Sequence, residues 1–168
     1  VLNKILDEAM GKLSIGLSIK MRLGYYQKEE IKAIIPILNQ YPLHHIVLHP
    51  RTGKQRYSGY ADPHAYKEVS GISLHRVIYN GDLFTADQFK QMQRLFPQSD
   101  TWMLGRGLLM NPFLAMDIKQ NSPEESQKKE RLEAFCQEMI LEMQGSGIGE
   151  LKTLGAMKAV WFYLSGLF

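Results

Sequence analysis

The sequence predicts an α/β protein with a parallel sheet, built from four β/α units and followed by a short helical segment. Four short apolar runs each end in a polar or glycine-rich cluster, and helical patterns lie between them. Strand and helix alternate with crossovers of about 20 to 30 residues, which favours parallel strands. Four such units fit either a small open sheet or the second half of a (β/α)8 barrel, since a whole barrel needs about 250 residues.

The four apolar runs predict buried strands. Each is too short for a helix and is rich in Ile, Val, Leu or aromatic residues, as expected of strands covered on both faces. We expect the strands at Leu13–Leu23, His45–Pro50, Arg76–Asp82 and Thr101–Gly107.

Helical patterns separate these strands. Thr85 and Gln88 form a capping box, which marks the start of a helix. The apolar positions at helical spacing are Ile31, Ile34, Ile35 and Leu38 in one helix and Phe89, Met92 and Phe96 in another.

The pattern changes after Pro112, so we divide the chain into a first domain at 1–118 and a helical second domain at 119–168. Ser122 is predicted to cap a helix that has Pro123 at its first position and ends at Gly145. The apolar faces are Leu132, Phe135, Cys136, Met139, Ile140 and Met143 in this helix, and Leu154, Met157, Val160, Trp161, Leu164 and Phe168 in the last one.

The composition is that of a globular protein, with 45% hydrophobic and 22% charged residues in 168. These values exclude a disordered tail, a coiled coil and a collagen-like chain. The net charge of +3 is too small to indicate nucleic acid by itself. A single cysteine, no apolar run of about 18 residues and no signal peptide predict a soluble, cytoplasmic protein with no membrane partner.

Polar residues follow each predicted strand, where ligands gather in parallel sheets. Lys20 and His49 are expected to face the ring system of a phosphorylated cofactor. Glycine corners follow the last two strands, at Asn80-Gly81-Asp82 and at Gly105-Arg106-Gly107. Because glycine lets backbone amides approach a phosphate, we expect Arg106 to hold that phosphate. Each cluster alone is also compatible with an ordinary turn or rim charge, and the sequence predicts no metal site.

The stretch HPRTGKQRYSGY at 49–60 alternates basic and aromatic residues. Arg51, Lys54 and Arg56 are suited to phosphates, and Tyr57 and Tyr60 are suited to stacking on unpaired bases. An ordinary solvated loop is the alternative.

These motifs together resemble those of the tRNA-dihydrouridine synthases. KMRLG at Lys20–Gly24 resembles the family's strand-five motif, and HPRTGKQRYSGYAD at His49–Asp62 resembles its H-x-R-T…Y-x-G-x-A-D signature. NGD at Asn80–Asp82 and GRGLLMNPFL at Gly105–Leu114 resemble its strand-seven and strand-eight motifs. LGAMKAVWFYL at Leu154–Leu164 resembles part of its C-terminal helical domain.

The resemblance implies an enzyme on a (β/α)8 barrel that binds FMN, is recharged by NADPH and reduces the C5–C6 bond of uridine in tRNA. By position, Lys20 and His49 would contact the isoalloxazine. The other implied cofactor-binding residues are Asn80, Gly81, Asp82, Gly105 and Arg106, and those implied to face the tRNA are Arg51, Lys54, Arg56 and Tyr57.

Two features depart from the family pattern. The family's proton-donating cysteine precedes the KMRLG motif, and the sole cysteine here, Cys136, lies on an apolar helix face where a buried, inert thiol is expected. Ala156 stands where the family commonly has an arginine. We therefore expect strands five to eight of the barrel with part of the helical domain, an inactive fragment that self-associates through its uncovered half-barrel. The alternatives are another barrel oxidoreductase that binds FMN or phosphate and acts on a small molecule, and a non-catalytic RNA-binding module.

Overall fold

The computed structural model describes residues 1–167, which divide into two compact units. The first unit comprises Val1–Asp82 and Phe96–Leu104, and the second comprises Leu83–Leu95 and the residues from Gly105 onward. The boundary expected after residue 118 lies inside the second unit. The division into a barrel part and a helical part stays a prediction.

A three-stranded parallel sheet forms the centre of the first unit. Its strands are β1 (Ser18–Gly24), β2 (His45–Thr52) and β3 (Val77–Tyr79), in the order β1-β2-β3. The expected parallel arrangement is confirmed for these three strands. The residues expected to be buried on both faces are so in β2, whereas β1, at one edge of the sheet, leaves Ser18 and Lys20 exposed.

The predicted strand boundaries need correction. The run at Arg76–Asp82 contributes only Val77–Tyr79 to the sheet, and the strand expected at His45–Pro50 continues to Thr52. The run at Leu13–Leu23 enters the sheet only at Ser18, because the Leu13 amide still bonds to Ala9 at the end of a helix. The strand expected at Thr101–Gly107 is absent from the described chain: only Trp102 forms an isolated parallel bridge, to Tyr79. The chain then turns at the glycine corner and becomes helical from residue 106.

Three α-helices belong to the first unit: α1 (Leu2–Lys12), α2 (Ile31–Leu38) and α3 (Pro63–Ile72), and a short 3-10 helix at Lys28–Glu30 precedes α2. The helical pattern that begins at Ile31 is confirmed, with Ile31, Ile35 and Leu38 buried. Asp62 caps α3 by accepting the Ala65 amide at 3.0 Å. The side chain of Asn39 bonds to Ile72 and Leu74 and so ties the end of α2 to the end of α3.

An aromatic cluster closes the core beside β3. The ring of Tyr66 lies 5.1 Å from that of Tyr79 and 4.8 Å from that of Phe96, both edge-to-face. Trp102 contacts Tyr79 at 5.7 Å. Edge-to-face pairs stabilise by about 0.5–1.5 kcal/mol beyond their burial, so this cluster helps to fix the carboxyl end of β3.

The second unit is helical, with α4 (Ala86–Leu95), α5 (Arg106–Met110), α6 (Leu114–Ile118), α7 (Glu125–Gly145) and α8 (Glu150–Leu164). The capping box before α4 is confirmed, since Thr85 and Gln88 exchange side-chain to backbone bonds at 3.1 and 3.2 Å. Among residues 1–167, no helix is both long enough and apolar enough to cross a bilayer.

The second unit corrects several details of the predicted helices. α7 ends at Gly145 as expected, but Glu124, with an extended backbone, precedes its first turn instead of Ser122. Leu132 is the buried residue of α7, and Phe135 is 47% exposed.

In α8 the predicted apolar stripe is only partly buried. Met157 and Leu164 are covered, whereas Leu154 and Trp161 are exposed, and Phe168 lies outside the described residues. Cys136 is half-buried rather than buried, because it lines an open groove between α7 and α8.

Candidate flavin-facing and RNA-facing site

The first unit gathers polar side chains on one face of the sheet, which we call the polar face and define by Lys20, Arg22, His49 and Arg51. Arg22 lies opposite His49 in the parallel register, and Lys20 lies opposite Val47. Alternate residues of a strand share a face. The structure therefore brings Lys20 and His49, which the sequence predicted to face the same cofactor ring system, to the same face of the sheet.

Arg51 is the most strongly engaged residue of the polar face. Its guanidinium forms two parallel bonds to Asp82, Nη1 to Oδ1 at 2.8 Å and Nη2 to Oδ2 at 2.6 Å. Nη2 also donates to the Gly59 carbonyl at 2.6 Å, and Nη1 to His49 at 3.0 Å. With 2% of its surface exposed, Arg51 lies inside the protein, where Asp82 holds its guanidinium. Its predicted place toward the uridine of the tRNA stays a prediction.

Asp82 connects the end of β3 to the loop that follows β2. Besides Arg51, its Oδ2 accepts the Ala61 amide at 2.8 Å. Its backbone has a φ of 35°, in the left-handed region. The preceding residue, Gly81, has no room for a side chain, because a Cβ there would lie 2.8 Å from the Ala61 Cβ. The Asn-Gly-Asp motif thus shapes a turn whose carboxylate is used inside the protein.

His49 is neutral in this environment. Burial, followed by the neighbouring charges of Arg22, Arg51 and Lys20, lowers its pKa from 6.5 to about 4. Since a guanidinium only donates, its bond to Nε2 leaves the proton of His49 on Nδ1. His49 therefore presents an N–H donor rather than a positive charge.

Arg22 is a member of the polar face that the sequence analysis did not single out. Its Nη1 donates to the Thr52 carbonyl at 2.8 Å, and its guanidinium carbon lies 5.6 Å from the centre of the Tyr57 ring. The Tyr57 ring in turn lies 6.4 Å from that of His49. The alternation of Lys20 and Arg22 along β1 is the signal that would have identified it.

The loop at 53–60 is exposed and held in shape. Lys54, Arg56, Tyr57 and Tyr60 are all exposed. This exposure fits both the predicted RNA-facing surface and the alternative of an ordinary solvated loop. Gln55 bonds to the amide and hydroxyl of Thr52, and Arg51 holds the Gly59 carbonyl. The basic and aromatic side chains therefore extend from a fixed backbone.

Three further candidate residues have local structural roles. Asn80 donates through Nδ2 to the Met103 carbonyl at 2.8 Å, which ties β3 to the segment before residue 104. In the second unit, Gly105 precedes α5, and the Arg106 guanidinium carbon lies 5.3 Å from the centre of the Phe84 ring. Residues 1–167 contain no group of three or more His, Cys, Asp or Glu side chains placed to bind a metal ion.

The chain is similar to known proteins of one family. Residues 1–165 match the family model described as dihydrouridine synthase (Dus). The chain is 31% identical over 136 residues to a probable tRNA-dihydrouridine synthase of Aquifex aeolicus, covering 80% of this chain and 42% of that protein.

Similarity extends to relatives from other organisms. A human protein named tRNA-dihydrouridine(47) synthase [NAD(P)(+)]-like is 28% identical over 124 residues, covering 72% of this chain and 19% of its own length. A tRNA-dihydrouridine(16) synthase of Pseudomonas putida is 29% identical over 105 residues, covering 62% and 32%. The chain thus spans less than half of each of these relatives.

Proposed function

Because this chain belongs to the dihydrouridine synthase family, we propose that it acts within an enzyme that reduces the C5–C6 bond of uridine in tRNA, with FMN as the flavin and NADPH as the reductant. Relatives named for tRNA dihydrouridine support the substrate, and the human relative's name includes NAD(P)(+). A cytoplasmic location and a (β/α)8 barrel, of which β1 to β3 are strands five to seven, form part of the same proposal.

The polar face is the observation that carries the proposal. It holds three cations, Lys20, Arg22 and Arg51, against the single carboxylate of Asp82, so it has an excess of positive charge. Its donor set also fits a flavin, whose ring and phosphate are rich in acceptors: Lys20 and the His49 Nδ1–H donate, and the buried Arg51 Nε has no partner among the described residues.

In this proposal FMN, when bound, supplies the hydride that reduces the uracil ring. Lys20 and His49 bind and orient the ring system, and the neutral state of His49 lets it donate a hydrogen bond without adding charge. Asn80, Gly81 and Asp82 shape the turn beside it. On the resemblance alone, Gly105 and Arg106 bind the phosphate.

The loop at 53–60 is the proposed tRNA-facing surface. Lys54 and Arg56 would neutralise backbone phosphates, and Tyr57 would contact the uridine that leaves its stack. Arg51 acts from inside, by holding the Gly59 carbonyl at 2.6 Å so that the loop keeps its shape. Its proposed part in RNA binding is therefore positioning rather than contact.

We also propose that these 168 residues alone do not catalyse the reduction. The resemblance assigns the proton-donating cysteine to a position before the KMRLG motif, whereas Cys136 is half-buried beside Leu132 and Leu164 in the second unit. Self-association through uncovered sheet edges stays part of this proposal, and light scattering that shows a stable monomer would contradict it.

Binding of unmodified tRNA transcript by the purified chain tests the proposed substrate. Replacing Lys54 and Arg56 together by alanine is expected to weaken binding. It should also lower the salt slope, the decrease in the logarithm of the binding constant with the logarithm of salt concentration, by about two, since each phosphate contact contributes about 0.9. Replacing Lys32 and Lys67, exposed on α2 and α3, is the matched control.

The rival functions give different results in the same assay. If the affinity for tRNA changes neither with added FMN nor in the Lys20→Ala variant, the result would favour the non-catalytic RNA-binding module. Absence of tRNA binding by the unaltered chain would contradict the proposal and favour a small-molecule oxidoreductase.

A further inference from the structure

An exposed pair of aromatic residues follows β1, outside every motif discussed above. Tyr25 is 60% exposed and Tyr26 is 70% exposed. Their rings lie 4.7 Å apart in an edge-to-face arrangement. Burial of these large rings on a partner would remove much apolar surface from water.

The backbone beneath the pair is held by one carboxylate. Glu30 accepts the amides of Tyr25 at 2.9 Å, Tyr26 at 2.9 Å and Gln27 at 2.7 Å. These bonds also hold the pKa of Glu30 below its usual range. The backbone of the turn is therefore fixed without packing of the rings into the core, which leaves the rings accessible. An ordered surface loses less entropy when a partner binds.

The same turn is joined to the loop at 53–60. The Gly53 amide donates to the Gly24 carbonyl at 2.7 Å, and the Lys54 amide donates to the Tyr25 carbonyl at 2.9 Å. A Cβ on Gly53 would lie 2.7 Å from Cδ2 of Tyr25, so glycine permits this close approach. The aromatic pair is thus continuous with the exposed Lys54 and Arg56.

We propose that Tyr25 and Tyr26 form a stacking platform for unpaired bases of the tRNA, next to the basic loop. Exposed aromatic rings flanked by cations are the chemistry that binds single-stranded nucleic acid without reading its sequence. The platform extends the proposed RNA-facing surface from one loop to two and holds nucleotides that flank the target. This inference rests on the proposed function, because it takes tRNA as the partner.

The test replaces the rings and keeps the charges. The double exchange Tyr25→Ala and Tyr26→Ala is expected to raise the Kd for tRNA by about fivefold or more, since stacking contributes about 1–3 kcal/mol per base. The salt slope should not change, because no phosphate contact is lost. The control exchange Tyr25→Phe and Tyr26→Phe keeps the rings and should bind within about twofold of the original protein.

A spectroscopic measurement separates stacking from a structural role. In the Tyr26→Trp variant, an unstructured oligouridylate is expected to quench the emission of the tryptophan introduced at this site, read as the difference from the unaltered chain. Absence of quenching would overturn the platform. A lower salt slope in the alanine variant would also overturn the platform. So would a variant that loses self-association and keeps RNA binding, which would indicate a protein contact at this pair.

The outcomes also separate this inference from the proposed function. If the alanine variant binds tRNA as the original does while the Lys54 and Arg56 exchange weakens binding, the platform fails and the proposed function stands. If the unaltered chain does not bind tRNA, the proposed function itself fails.

Discussion

The exchange Asp82→Asn removes the charge that balances a buried arginine and leaves the shape nearly unchanged. Asparagine also tolerates the left-handed backbone that Asp82 adopts at a φ of 35°, so backbone strain contributes little. Arg51, 2% exposed, loses both charge-assisted bonds, and the asparagine amide oxygen replaces them with at most one neutral bond. The bonds from Arg51 to Gly59 and His49 remain. The perturbation therefore acts on the bonds of one carboxylate, which come from Arg51 and from the Ala61 amide.

The expected magnitude follows from the burial of the pair. Removing one partner of a buried ion pair costs about 3–5 kcal/mol, because the other charge stays in a medium of low dielectric constant. The Asp82 side chain is 19% exposed, so water offsets part of the loss. We expect the free energy of unfolding to fall by about 3 kcal/mol. That is a large fraction of the stability of a typical domain, about 5–15 kcal/mol.

Urea denaturation measures this loss as a lower midpoint with an unchanged slope. Hydrogen exchange adds a local measurement, because the Ala61 amide donates to Asp82 and should exchange faster in the variant. Asp87→Asn, at a side chain that is 85% exposed, is the matched control and should cost less than about 0.5 kcal/mol. A loss below about 1 kcal/mol with unchanged exchange at Ala61 would refute the assigned role of the pair.

Two further predictions concern acidity and close packing. Because the pKa of His49 is about 4 when folded against 6.5 in its unperturbed state, the unfolded chain binds more protons between these values, so stability should rise with pH across that window. In thermal melts, the melting temperature of the His49→Gln variant should depend less on pH than that of the original protein. An equal pH dependence would contradict the lowered pKa assigned to His49. Gly81→Ala should cost about 1–3 kcal/mol because its Cβ would lie 2.8 Å from that of Ala61, whereas Gly145→Ala, with open space around it, should cost little. Equal stability of these two alanine variants in urea would disprove the close contact.

Local sequence patterns predicted the elements whose stabilising contacts are local. The helix at Ile31–Leu38 follows from apolar spacing, and the capping box at Thr85 and Gln88 needs only atoms three residues apart. The parallel pairing of β1, β2 and β3 follows from the length of the connections between them.

The parts that sequence reasoning missed depend on distant partners. Arg51 and Asp82 are 31 residues apart, and nothing near Arg51 shows that its charge turns inward. Without knowledge of the Arg51–Asp82 pair, the pattern of an arginine among tyrosines and lysines indicates an exposed surface. The prediction of a strand at Thr101–Gly107 was wrong for a related reason. This apolar run forms one β-bridge and one aromatic contact, both with Tyr79, instead of a continuous ladder of strand hydrogen bonds.

The partial burial of the α7 and α8 faces shows the same limit. Periodicity identified both helices, but it does not state how much of each face a partner covers. Phe135 and Trp161 belong to the apolar pattern and remain about half exposed, at 47% and 46%. Their burial depends on contacts with other elements, and the spacing of apolar residues in one helix does not specify those contacts.

The most direct test of the central claim is to map dihydrouridine in tRNA, at single-nucleotide resolution, in cells whose copy of this protein carries Lys20→Ala. Lys20 lies on the polar face, and Lys67, exposed on α3, provides the control exchange Lys67→Ala. The account predicts that at least one tRNA position loses dihydrouridine in the Lys20 variant and keeps it in the Lys67 variant. An unchanged map in the Lys20 variant, with the protein present at its normal level, would contradict the assignment of the polar face to uridine reduction.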